Sequence, residues 1–433
     1  MQAQADTPKP MKTFMLIWSG QAISLFGSAI VQFALIWWLT QETGSATVLA
    51  TASLVGLVPP VVLGPFAGVL VDRWSRRLTM FIADGLIALA TVVLAYLFWI
   101  EAIAVWHVFV LLFVRALGGS FHHPAFQAST VLMVPKEQLT RIQGFNQILE
   151  GSLGIVSAPL GAILLGVLPM QGVLAIDVGT AVFAMLPLLF LAIPQPDKQP
   201  AAAGQAATFW LDMRAGLWYL WAWPGLLLMM LLAMLVNLML VPSTSLLPLL
   251  ITDHFGGGAL QLSYVHSIFG VGIIVGGVGL SAWGGFKRRI VTSLSGLIGL
   301  GAGFLLMGLA PANAFWLAVC GGFIAGGMIA MVNGPVRAIM QAVIAPEMQG
   351  RVLTLVISLS SAMAPIGLMM AGPASDWLGV RTWFMFAGVV TLLAGTAGFF
   401  MPVLIHVEDG RSDESAPEQS SQVSVMGETA VAD

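Results

Sequence analysis

Apolar residues fall along this chain in long runs broken by short polar punctuation. Neither the two-residue alternation of a barrel strand nor the narrow stripe of a soluble helix recurs. A membrane-crossing helix takes roughly 20 such residues. On that measure twelve runs qualify: 13–40, 46–71, 78–100, 103–125, 142–168, 171–193, 225–252, 259–284, 289–310, 313–336, 352–374 and 380–405. Glycine interrupts most of them, which suits helices packed closely in a bundle.

The two halves of the chain share a register. At an offset of 211 residues Gly68 falls on Gly279, Arg76 on Lys287, Gly85 on Gly296, Pro124 on Pro335 and Pro135 on Pro346, after which the register slips by a few residues. Parallel repeats of this kind build rocking transporters with a site between the halves. The predicted fold is therefore all-α integral membrane, with twelve transmembrane helices in two six-helix pseudo-symmetric halves. Its parts are a cytoplasmic N-terminus (1–12), an N-terminal half (13–193), a linker with an interfacial amphipathic helix (194–224), a C-terminal half (225–405) and a disordered tail (406–433).

Composition agrees. The 433 residues are 58% hydrophobic and 9% charged, against about 45–50% apolar in soluble domains. A net charge of -3 with 17 basic residues leaves no nucleic-acid surface. The single cysteine, Cys320, excludes an intramolecular disulfide and reads as a small core residue. The first apolar run lacks a cleavage site and reads as an uncleaved first helix. No GxxxxGK[ST] sequence is present, so the expected energy source is an ion gradient, taken as protons, with no cofactor.

With the N-terminus inside, fifteen of the seventeen Lys and Arg residues fall on the cytoplasmic side; Arg381 lies outside and Arg115 within a span. This predicts two cytoplasmic termini and a plasma-membrane location, the bacterial inner membrane.

Four ionisable residues lie inside predicted spans, and all belong to the N-terminal half: Asp84, Arg115, Glu150 and Asp177. Each needs a partner or a task, because a charge at the bilayer centre costs on the order of 3 kcal/mol. Arg115 lies about 18 Å from the outer end of its span and Glu150 about 12 Å from the inner end of its own, the same level in a core of about 30 Å. They are expected to pair, either with Glu150 as proton carrier and Arg115 as its modulator or as a static ion pair. Asp177, about 9 Å from the outer face, is a second coupling candidate or a polar packing group. Asp84 is expected to pair structurally with the cluster from Arg73 to Arg77.

Gln21, Ser24, Ser28 and Gln32 share one face of span one. With Asn237, His266 and Asn333 they are candidate polar lining of a substrate cavity set among Phe, Trp and Met; helix-to-helix hydrogen bonding is the alternative for each. His122 and His123, placed where span four reaches the cytoplasm, point in different directions and carry no metal site.

The stretch GVLVDRWSRRLTM concentrates Gly68, Asp72, Arg73, Arg76 and Arg77. It resembles the loop signature of the major facilitator superfamily, with Ser75 where the pattern has glycine. LLFVRALGGSF, with Arg115 and Gly119, is similar to the efflux-branch motif, and GIVSAPLGA matches the antiporter motif except for Ala158 before Pro159. WSGQAISLFGSAIVQFALIWWLTQETGSATVLA and APEMQGRVLTLVISLSSAMAPIGL resemble the macrolide-efflux and enterobactin-exporter group.

The resemblance spans residues 13–405. It implies a monomeric secondary transporter, not an enzyme, that exports amphipathic compounds by proton antiport with alternating access; its partners are a small amphipathic substrate, protons and the lipid bilayer. It further implies a latch in which Asp72, within Gly68, Arg73, Arg76 and Arg77, holds the start of span eleven around Gly350 and Arg351. The repeat keeps Lys287, Arg288 and Arg289 but has Trp283 in place of the aspartate, which separates topological charge from latch. An importer or a lipid or siderophore carrier is the alternative on the same scaffold. An intramembrane enzyme built on His122 and His123 lacks a nucleophile.

Overall fold

The computed structural model describes residues 11–191, 193–195, 214 and 216–409. Among them twelve helices are long and apolar enough to cross a membrane. They are α1 (Met11–Thr43), α2 (Ala46–Arg73), α3 (Arg76–Trp99), α4 (Val105–Met133), α5 (Leu139–Val167), α6 (Met170–Phe190), α7 (Pro224–Leu249), α8 (Ala259–Trp283), α9 (Arg289–Leu309), α10 (Phe315–Val343), α11 (Pro346–Leu378) and α12 (Val380–Phe399). The chain outside the described residues includes 1–10, most of the linker and 410–433, so the expected cytoplasmic N-terminus and disordered tail lie outside the description.

Short connectors set the antiparallel order. Gly44, at φ +57°, ends α1, and the Ser45 side chain caps α2 by accepting from the Val48 amide. Ser75 does the same for α3 through the Leu78 amide. The serine that departs from the family pattern is thus a helix N-cap, a preferred residue for that position.

Several helices differ from the expected spans. α4 runs through Pro124 to Met133, because a proline forfeits a single backbone bond that packed neighbours in a bundle tolerate. His122 and His123 therefore lie well inside α4 rather than at its end. α7 continues as a π turn, Leu250–His254. α12 stops at Phe399 and a separate short turn, Pro402–Ile405, follows. In the linker, 216–221 is helical, with Leu220 buried and Leu217, Trp218 and Trp221 exposed, the one-sided pattern of an interfacial helix.

Arg76 and Arg77 in the first turn of α3, and Lys287, Arg288 and Arg289 at the start of α9, lie at one end of the bundle, called here the basic end. At the opposite end the halves touch. The Asp376 carboxylate, on α11, accepts from the Ala46 amide at 2.6 Å, the Thr47 amide at 3.0 Å and the Ser45 hydroxyl at 3.1 Å. It caps the N-terminus of a helix in the other half, where negative charge is favoured. Nearer the middle, Ser267 on α8 donates to the Ile155 carbonyl of α5 at 2.7 Å.

Continued toward the basic end, the same helix faces are bare. Val58 on α2, Gln143, Gln147 and Glu150 on α5, Ile274 and Val278 on α8, and Thr354 and Ser358 on α11 are all exposed. The gap between the halves opens toward the basic end and is sealed at the other.

The halves are packed by different means. In the C-terminal half α9 and α12 approach until a Cβ on Gly388 would stand 2.6 Å from the Leu305 nitrogen and one on Gly301 2.5 Å from the Leu392 nitrogen. Lipid supplies no hydrophobic drive for helix association, so close backbone contact carries this interface. Replacing Gly388 with valine should cost about 1–3 kcal/mol as the helices part. Thermal unfolding in detergent would register this as a lowered midpoint, and an unchanged midpoint would refute the close-packing account.

Candidate functional site

The membrane-level charges gather inside the N-terminal half. Arg115 on α4 donates from Nη1 to Asp177 Oδ2 on α6 at 2.7 Å and from Nη2 to the Ser28 carbonyl of α1 at 2.9 Å. Asp177 also accepts from Ser28 Oγ at 3.0 Å and Thr91 Oγ1 of α3 at 3.4 Å. Four helices meet on one ion pair whose side chains are 11% and 2% exposed. Every oxygen of the carboxylate is engaged.

Small residues let the helices come this close. A Cβ on Gly27 would collide with the Thr180 hydroxyl of α6, one residue before Ser28. A Cβ on Gly118 would stand 2.8 Å from Ile87 Cδ1, so Gly118, between Arg115 and His122, brings α4 onto α3. In the efflux-like motif the close-packing glycine is thus Gly118, while Gly119 faces open space.

The expected pairing of Arg115 with Glu150 is corrected: the partner of Arg115 is Asp177. Glu150 is exposed, on the face of α5 that looks into the gap between the halves. Its helix packs on α1 and α8 rather than on α4, which equal depth alone does not reveal. The expected pairing of Asp84 with the basic cluster is also corrected. Asp84 accepts from Gln21 Nε2 at 3.0 Å and faces His122 Nε2 at 3.4 Å. Arg76 donates to the Ala128 carbonyl and Arg77 to those of Leu188 and Leu189.

The polar residues expected to line a cavity divide three ways. Gln32 and His266 wall a cavity of 380 Å³ between the halves, with Phe33, Ser53, Ser157 and Thr244; His266 meets Phe33 edge to face at 6.4 Å. A lobe of 430 Å³ shares Gln32 and Ser53 and is bounded by Arg115. Gln21 and Ser28 instead serve the two carboxylates, and Ser24 is buried. Asn237 and Asn333 border a separate small cavity of 60 Å³ within the C-terminal half.

Of the latch residues, Gly68, Asp72 and Arg73 belong to α2 by backbone, but their side chains lie outside the described set. Gly350 and Arg351 are exposed in the first turns of α11. Asp376, which holds the sealed end, was not among the expected site residues. The signal was there: an aspartate near the C-terminus of its own long helix sits at the unfavourable end of that dipole.

Removing one partner of a buried pair strands the other. Arg115→Ala and Asp177→Asn should each destabilise the protein strongly, Arg115→Ala by about 3–5 kcal/mol. The double variant should lose less than the sum. Denaturation of the purified variants checks this; simple additivity would deny the coupling.

The sequence profile of the Major Facilitator Superfamily matches residues 17–367 and, in a second match, 226–429. Macrolide efflux protein A of Streptococcus pyogenes is 36% identical over 379 residues, covering 88% of this chain and 93% of that protein. Multidrug efflux pump Tap of Mycolicibacterium fortuitum is 26% identical over 395 residues, covering 87% and 93%. Among solved structures, a bacterial homologue of the human lysosomal transporter Spinster shares the fold with a TM-score of 0.69 at 15% identity, over 94% of this chain and 100% of that one. The nucleoside transporter NupG does so with a TM-score of 0.67 at 14% identity, over 90% and 98%. Twelve apolar helices, an arginine-centred polar cluster and these relatives converge: the chain belongs to the major facilitator superfamily, within its drug-efflux branch.

Proposed function

We propose that this transporter exports amphipathic organic compounds of the macrolide kind in exchange for protons, by alternating access, with its basic end in the cytoplasm. The observation that carries this reading is the cavity between the halves. It is walled by Phe33, His266 and a few uncharged polar groups, bounded by Arg115, open toward the basic end and closed at the other. Such a surface holds an apolar body by contact and orients it with few hydrogen bonds. The relatives named for macrolide and multidrug efflux favour this substrate class and direction. The excess of Lys and Arg at the basic end supports the orientation.

In this scheme Glu150, exposed in the gap, exchanges protons with water, and the Arg115–Asp177 pair fixes the inner wall of the cavity. The energy source is the proton gradient, with no cofactor, and the working unit is a monomer in the plasma membrane. Glu150→Gln should abolish erythromycin accumulation in inverted vesicles driven by a pH gradient while leaving downhill exchange in place. Intact gradient-driven accumulation by that variant would remove Glu150 from the coupling path. Accumulation in right-side-out vesicles instead would favour an importer.

Alternation also assigns tasks to two aspartates. Asp376 ends α11 and caps α2 at the sealed end; Asp72 ends α2 and is proposed to cap the start of α11, near Gly350 and Arg351, when the basic end closes. A cap of this kind contributes about 1 kcal/mol, hence about fivefold in a two-state ratio. Asp376→Ala should therefore raise the population open away from the basic end, and Asp72→Ala should lower it. Spin-label distances across each end would show the two shifts; shifts of the same sign would refute the paired-latch scheme.

A further inference from the structure

Two polar clusters stand on the same helices of the N-terminal half. Gln21 and Ser28 on α1, Asp84 and Thr91 on α3, and His122 and Arg115 on α4 are each seven residues apart, two turns or about 10.5 Å. The upper cluster is the saturated Arg115–Asp177 pair. The lower one, nearer the basic end, is unfinished. His122 Nε2 is buried with no hydrogen bond of good geometry. Its facing atom is Asp84 Oδ1 at 3.4 Å, beyond the 2.7–2.9 Å of a charge-assisted bond.

We propose that Asp84 and His122 form a proton-binding dyad, a second coupling site that takes one proton from water between Oδ1 and Nε2 and returns it to water at the basic end. This deepens, and rests on, the proton-antiport reading above. The lone pair of Nε2 or Oδ1 accepts the proton, and no bond other than N–H or O–H forms or breaks. Empty, the dyad carries one net negative charge; loaded, it is neutral.

The surroundings leave that charge to the dyad itself. Around it, α1 contributes the uncharged Gln21, with Lys12 and Glu42 near its ends, and α2 has no ionisable residue from Ala46 to Val71. On α3 Arg76 and Arg77 donate to backbone carbonyls. On α4 Arg115 is engaged with Asp177, His123 is exposed and bonded with Gln127, and His107 bonds the Ala104 amide at the far end. α6 offers only Asp177, and on α5, which packs on α1, Glu150 and Arg141 are exposed.

The fold does not demand a titratable pair at this place. By the 211-residue register Asp84 corresponds to Ser295 and His122 to Asn333, while Arg115 corresponds to Gly326. The C-terminal half packs the same level with neutral groups. The long 3.4 Å separation, in a structure open toward the basic end, is the geometry of the dyad after proton release; loading would draw α3 and α4 together beneath Arg115, which bounds the cavity.

The test uses full-length protein in proteoliposomes, with erythromycin as the probe. Asp84→Asn, His122→Asn and the double variant should keep erythromycin counterflow within about twofold of wild type but lose accumulation driven by a pH gradient by about tenfold or more. Asp84→Glu, which keeps the carboxylate, should retain part of it. Unchanged gradient-driven accumulation in the double variant, with Glu150→Gln inactive, would overturn the dyad and leave antiport standing. Parallel loss of counterflow and accumulation in all three variants would make the pair structural and overturn it equally. No response to the gradient in wild type would sink antiport and the dyad together.

Discussion

A guanidinium in the middle of an apolar bundle has to be answered, and Asp177 answers Arg115 at 2.7 Å. The N-terminal half is organised by that requirement. Serine, threonine and backbone oxygens from α1, α3 and α6 turn inward to share the charge, and Gly27 and Gly118 stand where the helices must approach for those oxygens to reach. Remove the arginine and four helices lose the group on which they converge. The polar residues of span one are thus arranged around the carboxylates first and around the cavity second.

The C-terminal half meets the same packing problem without charge. At the position corresponding to Arg115 it has Gly326, and there, as at Gly388 of α12, neighbouring helix backbone fills the space a side chain would take. Pseudo-symmetry therefore holds for the path of the chain and not for its chemistry. The N-terminal half is thus held by a buried ion pair and its partners, and the C-terminal half by close backbone contact at its glycines.

Much of this was legible in one dimension. Runs of apolar residues mark the twelve helices, and the register of Pro124 on Pro335 marks the two halves. Depth alone did not give the pair, since α5 packs on α1 and α8 rather than on α4. What depth does not carry is azimuth. The rotation of α5 is set by its contact with α8 through Ile155 and Ser267, a long-range fit, and it points Glu150 into the gap and leaves Arg115 to Asp177. Pro124 misled in the same way, as local chemistry ends a helix there while the surrounding bundle continues it to Met133. Asp376 was visible as a carboxylate at the wrong end of a dipole, but the helix that accepts it lies more than 300 residues away in sequence.

The strengths of these contacts rank the seams of the molecule. Within the N-terminal half, separating the helices strands a buried charge, at about 3–5 kcal/mol. Between the halves, the bonds described are one carboxylate on a helix N-terminus and one serine on a carbonyl, each a matter of about 1 kcal/mol. The apolar contacts beside them gain little from lipid, which is as apolar as they are. By these magnitudes the inter-half seam is weaker than the ion-paired packing within the N-terminal half. The opening toward the basic end, with Glu150 and Arg115 on its walls, lies along that weaker seam.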